Sequence, residues 1–163
     1  MSGSLPRVYW DANCFIAYIQ KEPAYFATVE TLLYEANIAK TIQIVTSVLS
    51  IMEVTFTEME RKNGVLSVAE QAILDRFWSG SGGILLVDFN ESVGRHARDI
   101  RRDDFIAQSI KTKKTADLIH IATARYMRVD RVHSTDPHVL RYDGRYGLSI
   151  TLPFTPKTRL PGI

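Results

Sequence analysis

The alternation of short apolar segments with longer helical ones is the feature of this sequence that most constrains its fold. The strand-like segments are rich in β-branched and aromatic residues, and they are Arg7–Asp11, Thr41–Thr46, Ile84–Asp88, Arg131–Ser134 and Leu148–Leu152. Strands joined through a helix lie parallel in one sheet, because the right-handed crossover returns the chain to the same edge. The helices then cover both faces of that sheet. The pattern predicts the α/β class, as a three-layer α/β/α fold with a central, mainly parallel sheet.

The segments between these strands carry apolar residues at the spacing of one helix face. They are Ala12–Gln20, a segment starting at Pro23, Val48 to about Arg61, Ser67–Trp78, Glu91 to about Lys111, Thr115–Met127 and His138–Tyr142. Ser47 and Thr115 are expected to cap the helices that follow them. The helix from Glu91 is expected to break near Asp103–Asp104, where two acidic residues adjoin.

The length and composition indicate one globular unit. A chain of 163 residues is long enough to bury a substantial core, so we expect a single domain over residues 1–163 with a proline-rich tail from about residue 153. The 45% hydrophobic content excludes a disordered chain, and the lone cysteine, expected to be a buried thiol, excludes an internal disulfide framework. No apolar run approaches the roughly 20 residues of a membrane span, and the N-terminus lacks a secretory pattern. We therefore expect a cytoplasmic protein with no membrane segment.

Carboxylates with apolar neighbours are the strongest indication of chemistry. Asp11 follows the apolar run VYW, Glu53 lies within SVLSIMEVTF, Asp117 lies within TADLIHIATA, and Asp136 follows a predicted strand in HSTDPHVL. A buried, unpaired carboxylate costs several kcal/mol, so such groups are normally hydrogen-bonded, paired or bound to metal. Each of these acids therefore needs a partner.

The predicted topology brings these acids together. The carboxyl ends of parallel strands meet at one edge of the sheet, where ligands bind in such folds. Crowded carboxylates repel one another, and a divalent cation removes that repulsion; oxygen ligands suit Mg²⁺ or Mn²⁺. Simpler interpretations exist for three of the acids: Asp117 and Asp136 as helix caps, and Glu53 in an arginine salt bridge. His120, one turn after Asp117, is expected to be a hydrogen-bonded helix histidine rather than a ligand.

The ordered set of motifs resembles the PIN-domain ribonucleases, and its pattern is similar to that of VapC toxins of toxin–antitoxin pairs. The segments that carry the resemblance are VYWDANCFIAYI, TSVLSIMEVTF, KTADLIHIATA and HSTD. The resemblance implies a metal-dependent endoribonuclease in which Mg²⁺ or Mn²⁺ is held by Asp11, Glu53, Asp117 and Asp136. It also implies auxiliary roles for Asn13 and Thr135, which match small polar positions beside the acids. The number of metal ions stays open.

A basic stretch offers an approach for nucleic acid. Arg95, Arg98 and Arg102 share one predicted helix face, opposite an apolar face, and Lys113 and Lys114 follow nearby. Such a stripe is typical of phosphate binding. A solvated outer helix face is the alternative interpretation.

The resemblance further implies an antitoxin partner, and we also expect a homodimer. Apolar residues exceed one core-facing stripe on the helices at Pro23–Ala39 and Val48–Arg61, which are the expected docking surface. The surplus residues are Tyr25, Phe26, Tyr34, Met52, Phe56 and Met59. Core packing or a dimer contact explains the same surplus. A non-catalytic RNA-binding or scaffold module, a housekeeping RNA-processing nuclease and a DNA-directed nuclease remain the alternative functions.

Overall fold

The sheet is parallel throughout and places the first strand near its centre. The computed structural model describes residues 3–54, 60, 62, 64–80, 82–107 and 114–156. Within them the strands are β1 (Arg7–Trp10), β2 (Gln43–Ser47), β3 (Ile84–Val87), β4 (Arg131–His133) and β5 (Ile150–Thr151). Their order across the sheet is β3-β2-β1-β4-β5, and every pairing is parallel. The predicted α/β/α class is therefore confirmed.

Helices connect the strands and cover the sheet. They are α1 (Ala12–Ile19), α2 (Phe26–Tyr34, continued by a π-helical turn Glu35–Ala39), α3 (Leu49–Val54), α4 (Val68–Trp78), α5 (Glu91–Ala107), α6 (Thr115–Met127) and α7 (Pro137–Leu140). Each lies within or close to a predicted helical segment. The predicted continuation of α3 to Arg61 falls largely outside the described residues. No helix in the described part of the chain is long and apolar enough to cross a membrane.

The apolar residues form a cluster on each side of the sheet because side chains alternate along each strand. Val8 and Trp10 of β1 pack on one side, and Tyr9 between them packs on the other. Burying a large apolar side chain contributes about 1.5–3 kcal/mol, so the wholly buried Trp10 and Tyr9 fix β1 firmly. The residue after β1, Asp11, is thereby held at the carboxyl edge of the sheet.

The predicted break in α5 at Asp103–Asp104 is wrong. The helix runs unbroken from Glu91 to Ala107, and Asp104 lies on its buried side. The Tyr142 hydroxyl donates to Asp104 Oδ2 at 2.5 Å, and Arg145 Nη1 donates to Oδ1 at 3.3 Å. These partners offset the cost of burying the carboxylate, so the helix need not end there.

The predicted N-cap at Thr115 is also wrong. Thr115 is the first helical residue of α6, and Lys114 occupies the cap position without a side-chain hydrogen bond. The Thr115 hydroxyl instead accepts a hydrogen bond from Arg101 Nη2 of α5 at 2.9 Å. Ser47 does act as expected, since its hydroxyl accepts from the Leu49 backbone N–H at 3.2 Å. Ser67 begins α4 with a reciprocal capping box to Glu70.

Candidate functional site

A cleft of about 280 Å³ opens at the carboxyl edge of the sheet, and the four predicted acids lie on its walls. Its lining is mainly polar and comprises Asp11, Ala12, Asn13, Ile16, Glu53, Lys114, Asp117, His120 and Asp136. Asp11 follows β1, Asp136 follows β4, Glu53 lies on α3, and Asp117 lies in the first turn of α6. Four separate elements thus bring these carboxylates to one place; we call it the acidic cleft.

Asp11 is the most buried acid of the cleft, with 2% of its surface exposed. Its Oδ1 accepts from the Asn13 backbone N–H at 3.1 Å, and its Oδ2 accepts from the Ser134 hydroxyl. The same hydroxyl accepts from the Asp136 backbone N–H at 3.0 Å, which ties the ends of β1 and β4 together. The pKa of Asp11 is raised to about 6, mainly by burial and slightly by the nearby Asp136 carboxylate, against lowering by His120 and Ser134. A cation in the cleft would favour the charged form.

Asp117 carries a buried oxygen, its Oδ2, that has no hydrogen-bond partner among the described residues. Burial raises the pKa of Asp117, and the charge of Asp136 adds to that rise, while Lys114 acts in the opposite direction. Buried carboxylate oxygens are normally satisfied, so an orphaned one in a cleft indicates a ligand. The simple cap interpretation does not account for this oxygen.

Among the residues that the structure describes, the partner of Glu53 is a histidine, not the arginine of the alternative interpretation. Its Oε2 lies 2.8 Å from His120 Nε2, and His120 Nδ1 lies 2.6 Å from the Tyr9 hydroxyl. That hydroxyl accepts from the Ser47 backbone N–H at 3.2 Å. A neutral imidazole satisfies the chain of contacts when Tyr9 donates to Nδ1 and Nε2–H donates to Glu53. The buried His120 is thus a hydrogen-bonded helix residue, as expected, and it also fixes a side chain of the cleft.

Asp136 combines a capping role with a position in the cleft. Its Oδ1 accepts from the His138 backbone N–H at 2.8 Å and begins α7. The neighbouring Thr135 is half-buried, but the hydroxyl that reaches Asp11 belongs to Ser134. Asn13 lines the cleft and supplies its backbone N–H to Asp11.

Sequence reasoning missed the supporting residues of this site. Ser134 directly precedes Thr135, which is the hydroxyl residue that the sequence predicts for the site. Tyr9 lies in a predicted strand, where its sequence neighbours indicate only a core position. The spacing of His120 from Asp117 was a usable signal, because residues three apart lie on neighbouring positions of one helix face. Nothing in the sequence linked His120 to Glu53, which lies 67 residues earlier.

The donor chemistry of the cleft fits a hard divalent ion, although the side chains are not grouped as a ready metal site. Within the described ranges, no three His, Cys, Asp or Glu side chains are arranged to hold one ion together. Carboxylate oxygens are nevertheless the ligands that Mg²⁺ and Mn²⁺ prefer. The unpartnered Asp117 Oδ2 is a free donor atom for such an ion, and burial, which raises the pKa of Asp11, would be offset by the charge of a bound cation.

The described basic residues that are predicted to bind nucleic acid lie in two places, the acidic cleft and the surface of α5. Lys114 lies in the acidic cleft, and Lys113 is outside the described residues. On α5 the three predicted arginines are exposed, while Val93 and Ile100 are buried, as the face pattern indicated. Arg95 pairs with Glu91 at 2.5 Å, and Arg102 pairs with Asp99 at 3.4 Å. Arg98 lines a neighbouring groove.

The family of the chain follows from its sequence and agrees with its fold. The family model of the PIN domain matches residues 8–145, which contain Asp11, Glu53, Asp117 and Asp136. The chain therefore belongs to the PIN domain family. No curated protein gives a significant match by sequence.

Solved structures with the same fold come from several bacteria. A chain of the VapBC2 complex of Rickettsia felis, bound to promoter DNA, is 16% identical with a TM-score of 0.62 over 90% of this chain and 98% of that one. VapC20 of Mycobacterium tuberculosis, described as a sarcin–ricin-loop-cleaving toxin, is 12% identical with a TM-score of 0.58 over 80% and 90%. A chain of a toxin–antitoxin complex of Klebsiella pneumoniae is 16% identical with a TM-score of 0.58 over 91% and 99%. At these identities the likeness shows the fold.

Proposed function

We propose that this protein is a divalent-metal-dependent endoribonuclease that hydrolyses RNA phosphodiesters and is the toxin of a toxin–antitoxin pair. The observation that carries the proposal is the meeting of four carboxylates from four elements in one cleft of a PIN domain. Burial and mutual repulsion make this arrangement costly for a protein that uses it only for structure. The presence of all four carboxylates in one cleft therefore supports a catalytic role over a scaffold role.

In this proposal Asp11, Glu53, Asp117 and Asp136 hold Mg²⁺ or Mn²⁺, with Asn13 and Thr135 beside them. A bound ion would supply Lewis-acid chemistry, activating water and offsetting charge on the phosphoryl oxygens. The protein's own groups prepare the site for it. Ser134 and the Asn13 amide hold Asp11, and His120 holds Glu53. Lys114 attracts the phosphate of the substrate toward the acids.

Two observations support RNA as the substrate and an antitoxin as the protein partner. The exposed arginines of α5 and Lys114 at the cleft supply the positive charge that a phosphate backbone requires. Structures with this fold include toxin–antitoxin complexes and a toxin described as sarcin–ricin-loop-cleaving. The proposal also places the protein in the cytoplasm, where Cys14 stays a reduced, buried thiol.

The docking surface for the antitoxin, or for a second copy in a homodimer, is proposed at the exposed edges of α2 and α3. Tyr34 and Met52 are each 58% exposed there, whereas Tyr25 and Phe26 are half-buried and the Phe26 ring stacks on Tyr18. Phe56 and Met59 lie outside the described residues.

Cleavage of RNA by the purified chain tests the enzymatic part. We expect cleavage with Mg²⁺ or Mn²⁺, its loss in EDTA, and its loss in Asp11→Asn, since the amide keeps the shape but not the charge. Asp75→Asn, at an exposed position on α4, is the matched control and should cut like the parent. An Asp11→Asn protein that cuts as fast as the parent would remove Asp11 from the proposed site.

Expression of the chain alone in a bacterial host tests the toxin part. Growth arrest that requires Asp11 and is relieved by the product of the neighbouring gene is the expected result. Normal growth at high levels of active nuclease would instead identify a housekeeping RNA-processing enzyme.

A further inference from the structure

An open groove lies beside the acidic cleft, between α5, α6 and the residues that follow β3. It consists of two adjoining cavities of about 660 and 180 Å³, which share Phe89, Gly94 and Arg98 as lining residues. We call it the Phe89 groove. The larger cavity has the volume of ordinary ligand sites, which range over about 300–1,000 Å³.

The chemistry of the Phe89 groove combines an exposed aromatic ring with an arginine. Phe89, two residues after β3, is 54% exposed, so the face of its ring is accessible at the groove. Arg98 is exposed and has no acidic partner among the residues that the structure describes, whereas Arg95 and Arg102 are paired. A ring that stacks on bases, next to a cation that binds phosphate, is the combination that single-stranded nucleic acid requires.

Gly94 keeps the surface beside the ring open. A Cβ at this position would lie 3.6 Å from Phe89 Cζ, in contact with the ring edge. Because α5 has no side chain there, the ring stays accessible from the groove. A planar base therefore has room against the aromatic surface.

The Phe89 groove and the acidic cleft are both lined by residues of the start of α6, which separates them. Thr115 and Leu118 line the groove, and the residues directly before each of them, Lys114 and Asp117, line the cleft. A nucleic-acid strand with a phosphate at Asp117 would thus place a neighbouring nucleotide over the groove. Lys114 and Arg98 would lie along its backbone.

We propose that the Phe89 groove is a subsite for single-stranded RNA, in which a base next to the cleaved phosphodiester stacks on Phe89 and Arg98 binds its phosphate. The proposal rests on the proposed function of the acidic cleft. It makes Phe89 and Arg98, rather than the paired Arg95 and Arg102, the residues of α5 and its preceding loop that determine RNA affinity.

RNA binding, measured by fluorescence anisotropy with a labelled single-stranded oligonucleotide in EDTA, tests the subsite without turnover. Phe89→Ala should weaken binding about tenfold, the size of one lost base stack, and Phe89→Trp should restore it. Arg98→Ala should lower the slope of log Kd against log salt by about 1, and Arg98→Lys should not. Arg76→Ala, which removes an exposed arginine on α4, is the control and should leave both quantities unchanged.

An oligonucleotide with one abasic position separates stacking from a structural effect of the substitution. A series of oligonucleotides carries the abasic position at each place in turn. One of these oligonucleotides should bind the parent more weakly than the intact oligonucleotide does. The Phe89→Ala variant should bind that oligonucleotide and the intact one equally well. Equal sensitivity of the parent and Phe89→Ala at every position would overturn the stacking assignment.

The outcomes keep the two proposals apart. If the parent cleaves RNA and the Phe89 and Arg98 variants bind it like the parent, the subsite is wrong and the nuclease proposal stands. If binding depends on both residues but no metal supports cleavage, Phe89 and Arg98 form a binding site for single-stranded RNA and the nuclease proposal fails. If substitution of Phe89 or Arg98 weakens the binding of a protein partner and leaves RNA binding unchanged, the groove is a protein-docking surface and the subsite is wrong.

Discussion

At the scale of single residues, Asp11 shows how the cleft balances burial against charge. Its carboxylate is removed from water, so the protein must supply hydrogen bonds from Ser134 and the Asn13 amide to keep it in place. Those contacts do not cancel the desolvation, because the pKa still rises to about 6. A proton and a metal ion therefore compete for the same oxygen atoms near neutral pH.

The pH dependence of stability tests this balance in metal-free protein. A carboxyl whose folded pKa is raised from 3.8 to about 6 adds stability below pH 4, and that stability is lost as the pH rises through 6. Asp11→Asn should therefore gain about 3 kcal/mol relative to the parent between about pH 4 and pH 7. Urea unfolding at each pH measures the difference. The buried His133, whose pKa is lowered to about 4, contributes equally to both proteins. A difference that is constant across this range would contradict the burial argument.

His120 is predicted to position Glu53 for catalysis. Removing it leaves the carboxylate without the contact at 2.8 Å, and supporting contacts of this kind are typically worth 10- to 100-fold in activity or metal affinity. His120→Ala should lower kcat for RNA cleavage about tenfold with KM for RNA unchanged, and His120→Gln should recover part of the loss. His138→Ala, at an exposed histidine that contributes its backbone N–H to Asp136, is the control. A rise in KM with kcat unchanged would assign His120 to substrate binding instead.

At the scale of elements, local sequence predicted which segments form helices and strands, and tertiary contacts decided their ends. The capping box at Ser67 needs only residues three positions apart, so α4 begins where the sequence indicates. Thr115 failed as a cap because its hydroxyl is engaged by Arg101, a residue of another helix. The continuity of α5 past Asp104 depends on Tyr142, which lies 38 residues later. Neither partner is visible in a local window.

The entry into β3 is predicted to tolerate no side chain at Gly83. A Cβ there would lie 2.0 Å from the Ala36 carbonyl oxygen, in the π-helical turn after α2, and the contact is with backbone. Gly83→Ala should destabilise the protein by about 1–3 kcal/mol or more, since the strand or the turn must shift. Thermal unfolding measures the effect, with Gly3→Ala, where nothing lies within 4 Å, as the control. Equal melting temperatures for Gly83→Ala and the parent would show that the turn yields without cost.

At the scale of the whole molecule, the sequence allowed the position of the acids to be predicted but not their supporting contacts. Parallel topology alone brings Asp11 and Asp136 to one edge, so this part follows from strand order. The contact of Ser134 with Asp11 spans 123 residues and depends on the final register of β1 and β4. The Phe89 groove likewise exists only once α5 and α6 are packed together.

Metal binding is predicted to stabilise the entire fold. The cleft joins four elements, so an ion bound there favours the folded state by mass action and should raise the melting temperature at millimolar Mn²⁺. The rise should shrink below pH 6, as Asp11 takes up a proton. Differential scanning calorimetry of the parent and Asp11→Asn measures both effects. A melting temperature of the parent that ignores Mn²⁺ would favour the scaffold interpretation.

The central position of β1 has a consequence for synthesis on the ribosome. β1 emerges first, but its partner β4 and the contact from Ser134 to Asp11 follow 123 residues later. At about 5–20 residues per second, translation takes roughly 6–25 seconds to cover that distance. Throughout this interval the nascent chain carries Asp11 without Ser134 or Asp136, so the acidic cleft is incomplete. The order of the strands thus delays the site until β4 and the residues after it have been made, and it leaves time for the proposed partner to meet the chain beforehand.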